Sequence, residues 1–393
     1  MTSRKTGISR RQVLGGAVAL GLGLGAGRAR GDNSAEGGNR SRRADAGRAL
    51  PTRPLGKTGY QDAVVVFGGI ALKYLDQDAA TAAVLRALDR GVTHFDVAPS
   101  YADSETKIAP AVKRARDRMF LACKTLERSG AGAARELRAS LKRTGAEHFD
   151  LYQLHAVDND DDLAQALGPK GALEAAVKAR DAGLVRFIGI TGHWPQTHVL
   201  ALKQFAFDTV MTPVNFLDHF FADSQGALLP LCEKMGVGVI AMKATYRGAM
   251  KDHAACYRYT LSQPVAATVP AGRIEEIEEA IEIASAFQPL SIAEQQTLWL
   301  NAPDLAGVCR QCHNCLPCPA GVDIPYIFAL EGFGQRYRPR QAADIYSRLS
   351  VKAKTCDGCG ACEKRCPYGV EIARRMKAMD AKFAGWAGKS WAG

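Results

Sequence analysis

The sequence predicts an α/β fold, a (β/α)8 barrel, with a small cysteine-rich helical domain behind it. Three observations carry this expectation. Short β-branched runs alternate with amphipathic helical stretches eight times from residue 64 to residue 272. No GxGxxG follows the first run, so the competing open doubly wound sheet lacks its phosphate-binding turn. Eight of the eleven cysteines crowd into residues 309–366.

The chain begins with a candidate leader. "SRRQVLGGAVALGLGLGAGRARG" sets Arg10 and Arg11 before a glycine-rich apolar run too short and too weakly hydrophobic for a stable membrane span. The pattern resembles a Tat signal over residues 1–30, which implies export to the periplasm or another extracytoplasmic space. Tat moves proteins already folded, which suits a chain whose metal centres are assembled before export. Residues 31–50, rich in Gly, Ser and Arg, read as linker. The leader also explains the charge. The chain has 51 Lys/Arg against 40 Asp/Glu, but residues 1–50 hold ten of the former and three of the latter, leaving 41 against 37. No basic stripe survives, which excludes a nucleic-acid footprint.

The barrel is expected over residues 51–290. Its candidate strands are VVVFGGI (64–70), THFDVA (93–98), MFLACKT (119–125), FDLYQLHA (149–156), VRFIGIT (185–191), TVMTPVNF (209–216), VGVIAMKA (237–244) and AATVPAG (266–272). Stretches such as DAATAAVLRALDRG and GALEAAVKARDAG lie between them, apolar at i, i+3 and i+4, with Gly91 and Gly183 as C-caps. Eight such units match the usual barrel size of ~250 residues. Cys123, Cys232 and Cys256 fall in apolar stretches and read as core thiols.

Barrel chemistry sits at the C-terminal ends of the strands. There Asp96 ends the second strand, Lys124 the third and His155 the fourth, and Tyr101 follows Asp96 by five residues. Singly these could be a cap, a rim charge, a core histidine and a packing ring. Together they suit reduction of a carbonyl by hydride with a proton delivered to oxygen. A phenol is a poor acid at neutral pH unless a nearby ammonium favours its phenolate. Lys124 can supply that charge, Asp96 can hold the lysine protonated, and His155 can orient the substrate oxygen.

"PLGKTG" (54–59), "FDVAPSYADSE" (95–105), "CKT" (123–125), "LHAVD" (154–158), "IGITGH" (188–193) and "VPAG" (269–272) resemble the aldo/keto reductases. The resemblance implies that Asp96, Tyr101, Lys124 and His155 form that family's catalytic tetrad, and that NADP or NAD lies across the strand ends without a Rossmann unit. Its cofactor contacts are less well kept. Thr191-Gly192 stands where the common pattern has Ser-Asn, Met211 where it has Gln, and Met242, beside Lys243, where an aromatic stacks on the ring. Asn215 and His193 could compensate, and Gly272 and Arg273 are candidate phosphate contacts at the start of the last helix. The EEIEE run (275–279) is unfriendly to a second phosphate there.

Residues 300–385 are expected to form an α-helical, ferredoxin-like 4Fe-4S domain. Residues 309–319 give CxxCxxCxxCP and 356–367 give CxxCxxCxxxCP; the second is the bacterial run for a [4Fe-4S] cluster, and the first is one residue short. In two-cluster ferredoxins the cysteine before the proline ligates the other cluster. By that rule Cys309, Cys312, Cys315 and Cys366 hold one centre, and Cys356, Cys359, Cys362 and Cys318 the second; the shortened run leaves a single cluster open. CxxC pairs also bind zinc, and an even cysteine set in an exported protein can form disulfides. The third cysteine at equal spacing and the trailing Pro319 and Pro367 favour clusters over both. "GVDIPYIFALEGF" and "GVEIARRMKAM" repeat a Gly-Val-acid-Ile pattern, as if each helix covered one cluster. The whole layout resembles the iron–sulfur-containing branch of the aldo/keto reductases.

Two functional classes follow. In one, the tetrad acts on a small carbonyl or alcohol while the clusters stiffen the tail or serve a redox partner protein. In the other, the barrel is a docking scaffold and the tail an exported electron-transfer module. Hydride carries two electrons and a cube takes one, and the sequence shows no flavin site to mediate.

Overall fold

The computed structural model describes residues 50–387 apart from 159, 218–223, 247–249, 271, 303–306, 310–311 and 337–338. The leader, and all but the last residue of the linker, lie outside the described residues. Gly47–Gly393 cluster as one unit, so barrel and cysteine-rich region pack together.

A hairpin of β1 (Thr52–Pro54) and β2 (Gln61–Ala63) precedes the barrel. Eight parallel strands follow: β3 (Phe67–Gly68), β4 (His94–Asp96), β5 (Phe120–Thr125), β6 (Phe149–Leu154), β7 (Val185–Thr191), β8 (Thr209–Pro213), β9 (Gly238–Met242) and β10 (Ala267–Val269). A parallel bridge between Val65 and Thr268 joins the two ends of the sheet. Val66 N donates to Thr268 O, and Thr268 N to Val64 O, each at 2.9 Å. The barrel expected from eight alternations is therefore present. Most strands are shorter than their apolar runs. Within VVVFGGI, Val65 faces β10 while only Phe67 and Gly68 pair with β4. At Gly69 an added Cβ would lie 2.7 Å from Val97 Cγ1, and the chain turns there into a 3-10 helix, Gly69–Tyr74.

Among the described residues ten α-helices accompany the barrel: α1 (Gln77–Asp89), α2 (Ser104–Ala115), α3 (Gly130–Thr144), α4 (Asp160–Leu167), α5 (Ala172–Asp181), α6 (Pro195–Gln204), α7 (Leu229–Met235), α8 (His253–Leu261), α9 (Ile274–Ser285) and α10 (Ile292–Leu300). Caps set their ends. Asp76 accepts from Ala79 N at 2.8 Å to start α1. Gly91 and Gly183 stand one residue beyond the last capping position of α1 and α5, with φ of 91° and 74° that only glycine adopts cheaply. Leu55, Val66, Phe120, Leu151, Met211 and Ile240 fill the barrel interior. Tyr60 stacks on Phe120 at 4.3 Å and plugs the lower end. Each fully buried aliphatic side chain contributes about 1.5–3 kcal/mol by leaving water.

The cysteine-rich region folds around α11 (Ile324–Arg336), α12 (Pro339–Ser347), α13 (Ala361–Lys364) and α14 (Ile372–Ala387). Ile327, Leu330, Ala342, Met376 and Phe383 form its core together with Cys315 and Cys362. Glu331, 6% exposed, is buried between Arg375 and Lys382, a charge compensated on both sides. No helix among the described residues is long and apolar enough to cross a membrane. Three ring contacts join this region to loops at the C-terminal ends of the barrel strands: Trp194 on Tyr368, His193 on His313, and Lys73 over Tyr326.

Candidate active site

A cavity of about 940 Å³ opens at those strand ends, near the top of the ~300–1,000 Å³ range of small-molecule sites. Asp96, Tyr101, Lys124 and His155 all line it. Asp96 closes β4, Lys124 is next to last in β5, and His155 follows β6, its N donating to Thr125 O at 2.8 Å. Tyr101 lies in the β4–α2 loop, its N donating to Ala98 O at 3.0 Å.

Lys124 Nζ donates to Asp96 Oδ2, with the two side chains 1% and 2% exposed. Burial pulls the ammonium downward, but Asp96 and then Tyr101 outweigh it, and Lys124 stays above its ordinary value. The same ammonium stands 5.0 Å from the centre of the Tyr101 ring. Tyr101 meets His155 edge to face at 5.9 Å. Burial first, then the charges of Lys124 and His193, push His155 well below its usual value, so it is a neutral imidazole at pH 7. Its Nδ1 is shielded and has no hydrogen-bond partner.

Three supporting residues carried no role in the sequence reading. Gln153 Nε2 donates to Asp96 Oδ1 at 3.2 Å, fixing the carboxylate from its far side. Period-two alternation along β6 put Gln153 on the same face as His155 and could have found it. Arg128 donates to the carbonyls of His155 at 3.0 Å and Ala156 at 2.9 Å and clamps the end of β6. Asp158 accepts from the backbone N of His193 and, at 2.8 Å, from its Nδ1. Burial alone would raise the Asp158 carboxyl, yet the bonds to His193 hold it below its ordinary value.

Of the candidate cofactor residues, Thr191, His193, Met242, Lys243, Gly272 and Arg273 line the cavity, as does Met211. Gly192 and Asn215 are not among its lining residues. Gly192 is pressed so closely that a Cβ would lie 2.5 Å from Val157 O and 2.9 Å from His198 Nε2, which explains glycine there by packing. Asn215 Oδ1 accepts from Leu217 N at 3.1 Å and its Nδ2 donates to Lys243 O at 3.4 Å. Thr191 Oγ1 accepts from Ala156 N at 3.0 Å. Arg273, just before α9, packs its guanidinium 3.2 Å from the centre of the Tyr74 ring, and burial lowers it. Glu276 Oε2 already accepts from Arg273 N at 3.1 Å, so a phosphate here would lean on side-chain cations more than on the helix end. A nicotinamide nucleotide fits this donor set: cations at one end, thioethers and small side chains along the floor, titratable groups at the other end.

The eight clustered cysteines line two further small cavities. Cys309, Cys312, Cys315 and Cys366 surround one, with Ile324 and Phe328; Cys318, Cys356, Cys359 and Cys362 surround the other. All eight are free thiols. Among the described residues no three such side chains converge on one point for a single ion; each set of cysteines stands around a space instead. Burial pushes the Cys315 thiol up to about 12, so its ionisation needs a cation at the sulfur. Four sulfurs around an apolar space fit a [4Fe-4S] cube. Cys312 lines both the first of these spaces and the large cavity.

Comparison with known proteins bears on both halves. Residues 64–255 match the aldo/keto reductase family and residues 308–371 the 4Fe-4S dicluster domain. The chain is 27% identical over 200 residues to D-galacturonate reductase of Fragaria ananassa, covering 45% of this chain and 61% of that protein. It is 26% identical over 219 residues to L-galactose dehydrogenase of Arabidopsis thaliana, covering 52% and 68%. With the first of these relatives, then, the match spans about three-fifths of the relative's length. Among solved structures, aldo-keto reductase AKR11C1 of Bacillus halodurans shares the fold at a TM-score of 0.54 and 23% identity, covering 63% of this chain and 94% of that one. An aldo/keto reductase domain, built as a (β/α)8 barrel, and a 4Fe-4S dicluster domain are found in this chain.

Proposed function

We propose that the chain is an oxidoreductase that moves hydride between a nicotinamide cofactor, NADP or NAD, and a small carbonyl or alcohol, with Tyr101 as the acid or base. The observation that carries this reading is the convergence of Asp96, Tyr101, Lys124 and His155 on one cavity. The names of the two relatives above, a reductase and a dehydrogenase, agree with it. The bound nicotinamide would supply or accept the hydride. In reduction, Tyr101 gives its proton to the oxygen as the electron pair arrives at carbon, and the Lys124 ammonium stabilises the phenolate left behind. Asp96, braced by Gln153, keeps Lys124 charged and aimed. His155, neutral, donates a hydrogen bond that orients the carbonyl oxygen.

The proposal extends to the ends of the chain. Two [4Fe-4S] clusters are held crosswise by the two cysteine runs, and residues 1–30 direct the folded protein through Tat to the periplasm, where a redox partner protein could meet the tail. A second reading, an iron–sulfur electron-transfer or docking subunit, is favoured by one observation. The floor offers Met211 and Met242 where a ring would stack, and Thr191 and Asn215 already hold backbone partners. One experiment separates the readings. On the first, NADPH quenches tryptophan fluorescence of the anaerobically purified protein, and Tyr101→Phe abolishes reduction of p-nitrobenzaldehyde while NADPH binding persists. On the second, Tyr101→Phe changes nothing measurable.

A further inference from the structure

We propose that the segment from His313 to Leu316, in the cysteine-rich domain, is the substrate-facing wall of the reaction cavity. The iron–sulfur centre of Cys309, Cys312, Cys315 and Cys366 holds that wall in shape and passes no electrons to the substrate. The inference rests on the reductase reading above and adds what the tail does for it.

Placement is the first ground. His313, Asn314 and Leu316 line the same cavity as Tyr101 and His155. His313 stacks on His193 at 6.3 Å and 22°, and His193 is fixed by Asp158 on the tetrad side, close enough for its charge to bear on His155. The wall thus stands at the reacting end. Tyr326, another cysteine-domain residue, reaches the opposite end, where Lys73 lies 5.0 Å from its ring.

The second ground is how the wall is held. His313 and Asn314 are the two residues between the ligands Cys312 and Cys315, so both ends of that turn are tied to one centre. Beyond it, Arg365 Nη2 donates to Cys315 O at 2.7 Å and Pro317 O at 2.8 Å, which brackets Leu316. His313 itself has φ of 66°, a left-handed turn an imidazole-bearing residue tolerates and a β-branched one does not. With the sulfurs placed, the loop has little freedom left. Without them, nothing in the segment specifies its shape.

Electron balance is the third ground. The hydride step closes on itself: the pair moves from nicotinamide to carbon and the proton from Tyr101 to oxygen. No single-electron step is left for the cube. A positioning role needs no mediator. The imidazole and carboxamide of His313 and Asn314 suit a small carbonyl that carries a hydrogen-bonding substituent.

The test uses the full chain with clusters assembled anaerobically and glyceraldehyde as probe. Asn314→Ala and His313→Asn, the latter chosen because Asn accepts a left-handed φ, should keep the wild-type iron content and cluster absorbance. Both should raise the dissociation constant of glyceraldehyde in the non-reacting NADP⁺ complex by about tenfold, with kcat changed by less than about threefold. Cys309→Ser, which alters a ligand that does not line the large cavity, should weaken probe binding as well. Reducing the clusters with dithionite should leave it unchanged. If both wall variants bind the probe within about twofold of wild type with iron retained, the wall is overturned while the reductase reading stands. A hydride-transfer rate that shifts tenfold with cluster oxidation state would overturn the positioning role. A wild-type protein that binds no NADPH overturns the reductase reading, and the wall with it.

Discussion

Replacing Lys124 by Met tests the electrostatic core of the proposed mechanism. Two unit charges 5.0 Å apart, the separation of Lys124 Nζ from the Tyr101 ring centre, interact by about 3 kcal/mol at an effective dielectric constant of ~20. If that attraction stabilises the phenolate as it forms, its loss should slow aldehyde reduction by roughly two orders of magnitude. The same change leaves Asp96, 2% exposed, without its cation, a defect that costs about 3–5 kcal/mol of stability. The two effects separate in the double variant Asp96→Asn/Lys124→Met. Removing both charges should restore the urea midpoint most of the way, since the pair is replaced by neutral groups of similar size. Turnover should stay at the level of the single variant. Steady-state reduction of p-nitrobenzaldehyde alongside urea titration reads both quantities. A double variant that regains turnover together with stability would refute the assignment of Lys124 to the chemistry and leave it a structural ion pair.

Two further outcomes are expected. His198 is fully buried and pushed down to about 4 from 6.5, chiefly by burial. The unfolded chain therefore takes up a proton first as pH falls: this contribution to stability is complete above pH ~6.5 and is lost down to about pH 4, in total about 3 kcal/mol. His198→Gln should flatten the urea midpoint against pH over that window relative to wild type; parallel curves would discount the histidine. For the clusters, Cys366→Ser should remove the centre of the first cysteine run and spare that of the second, seen as iron content falling by half with one EPR signal retained. Loss of the second run's signal would reverse the crosswise assignment.

The barrel was legible because its signal is repeated: eight β-branched runs separated by 3.6-periodic stretches leave few other closures, and Gly91 and Gly183 mark helix ends by conformation alone. The tetrad was legible because strand ends are the one place in such a barrel where titratable groups gather. Strand lengths were not, since pairing in a sheared barrel stops where a strand tilts away, as at Gly69, and apolar residues continue past that point. Nor was the fate of Asn215, whose amide could have faced a cofactor and instead holds Leu217 N and Lys243 O. Gly192 read as a lost side chain and is a close approach of three chain segments. The contacts between tail and barrel, His193 with His313 and Trp194 with Tyr368, join residues more than a hundred positions apart, and no local pattern announces them.

The central claim is that this cavity delivers hydride to a carbonyl carbon under control of Tyr101. The most direct measurement is a single turnover of p-nitrobenzaldehyde with NADPH deuterated at the transferable position, followed by mass spectrometry of the alcohol. The account predicts one deuterium on the carbinol carbon with wild-type protein and none with Tyr101→Phe, although that variant still binds NADPH. Unlabelled alcohol from the wild type, or equal label from both proteins, would contradict it.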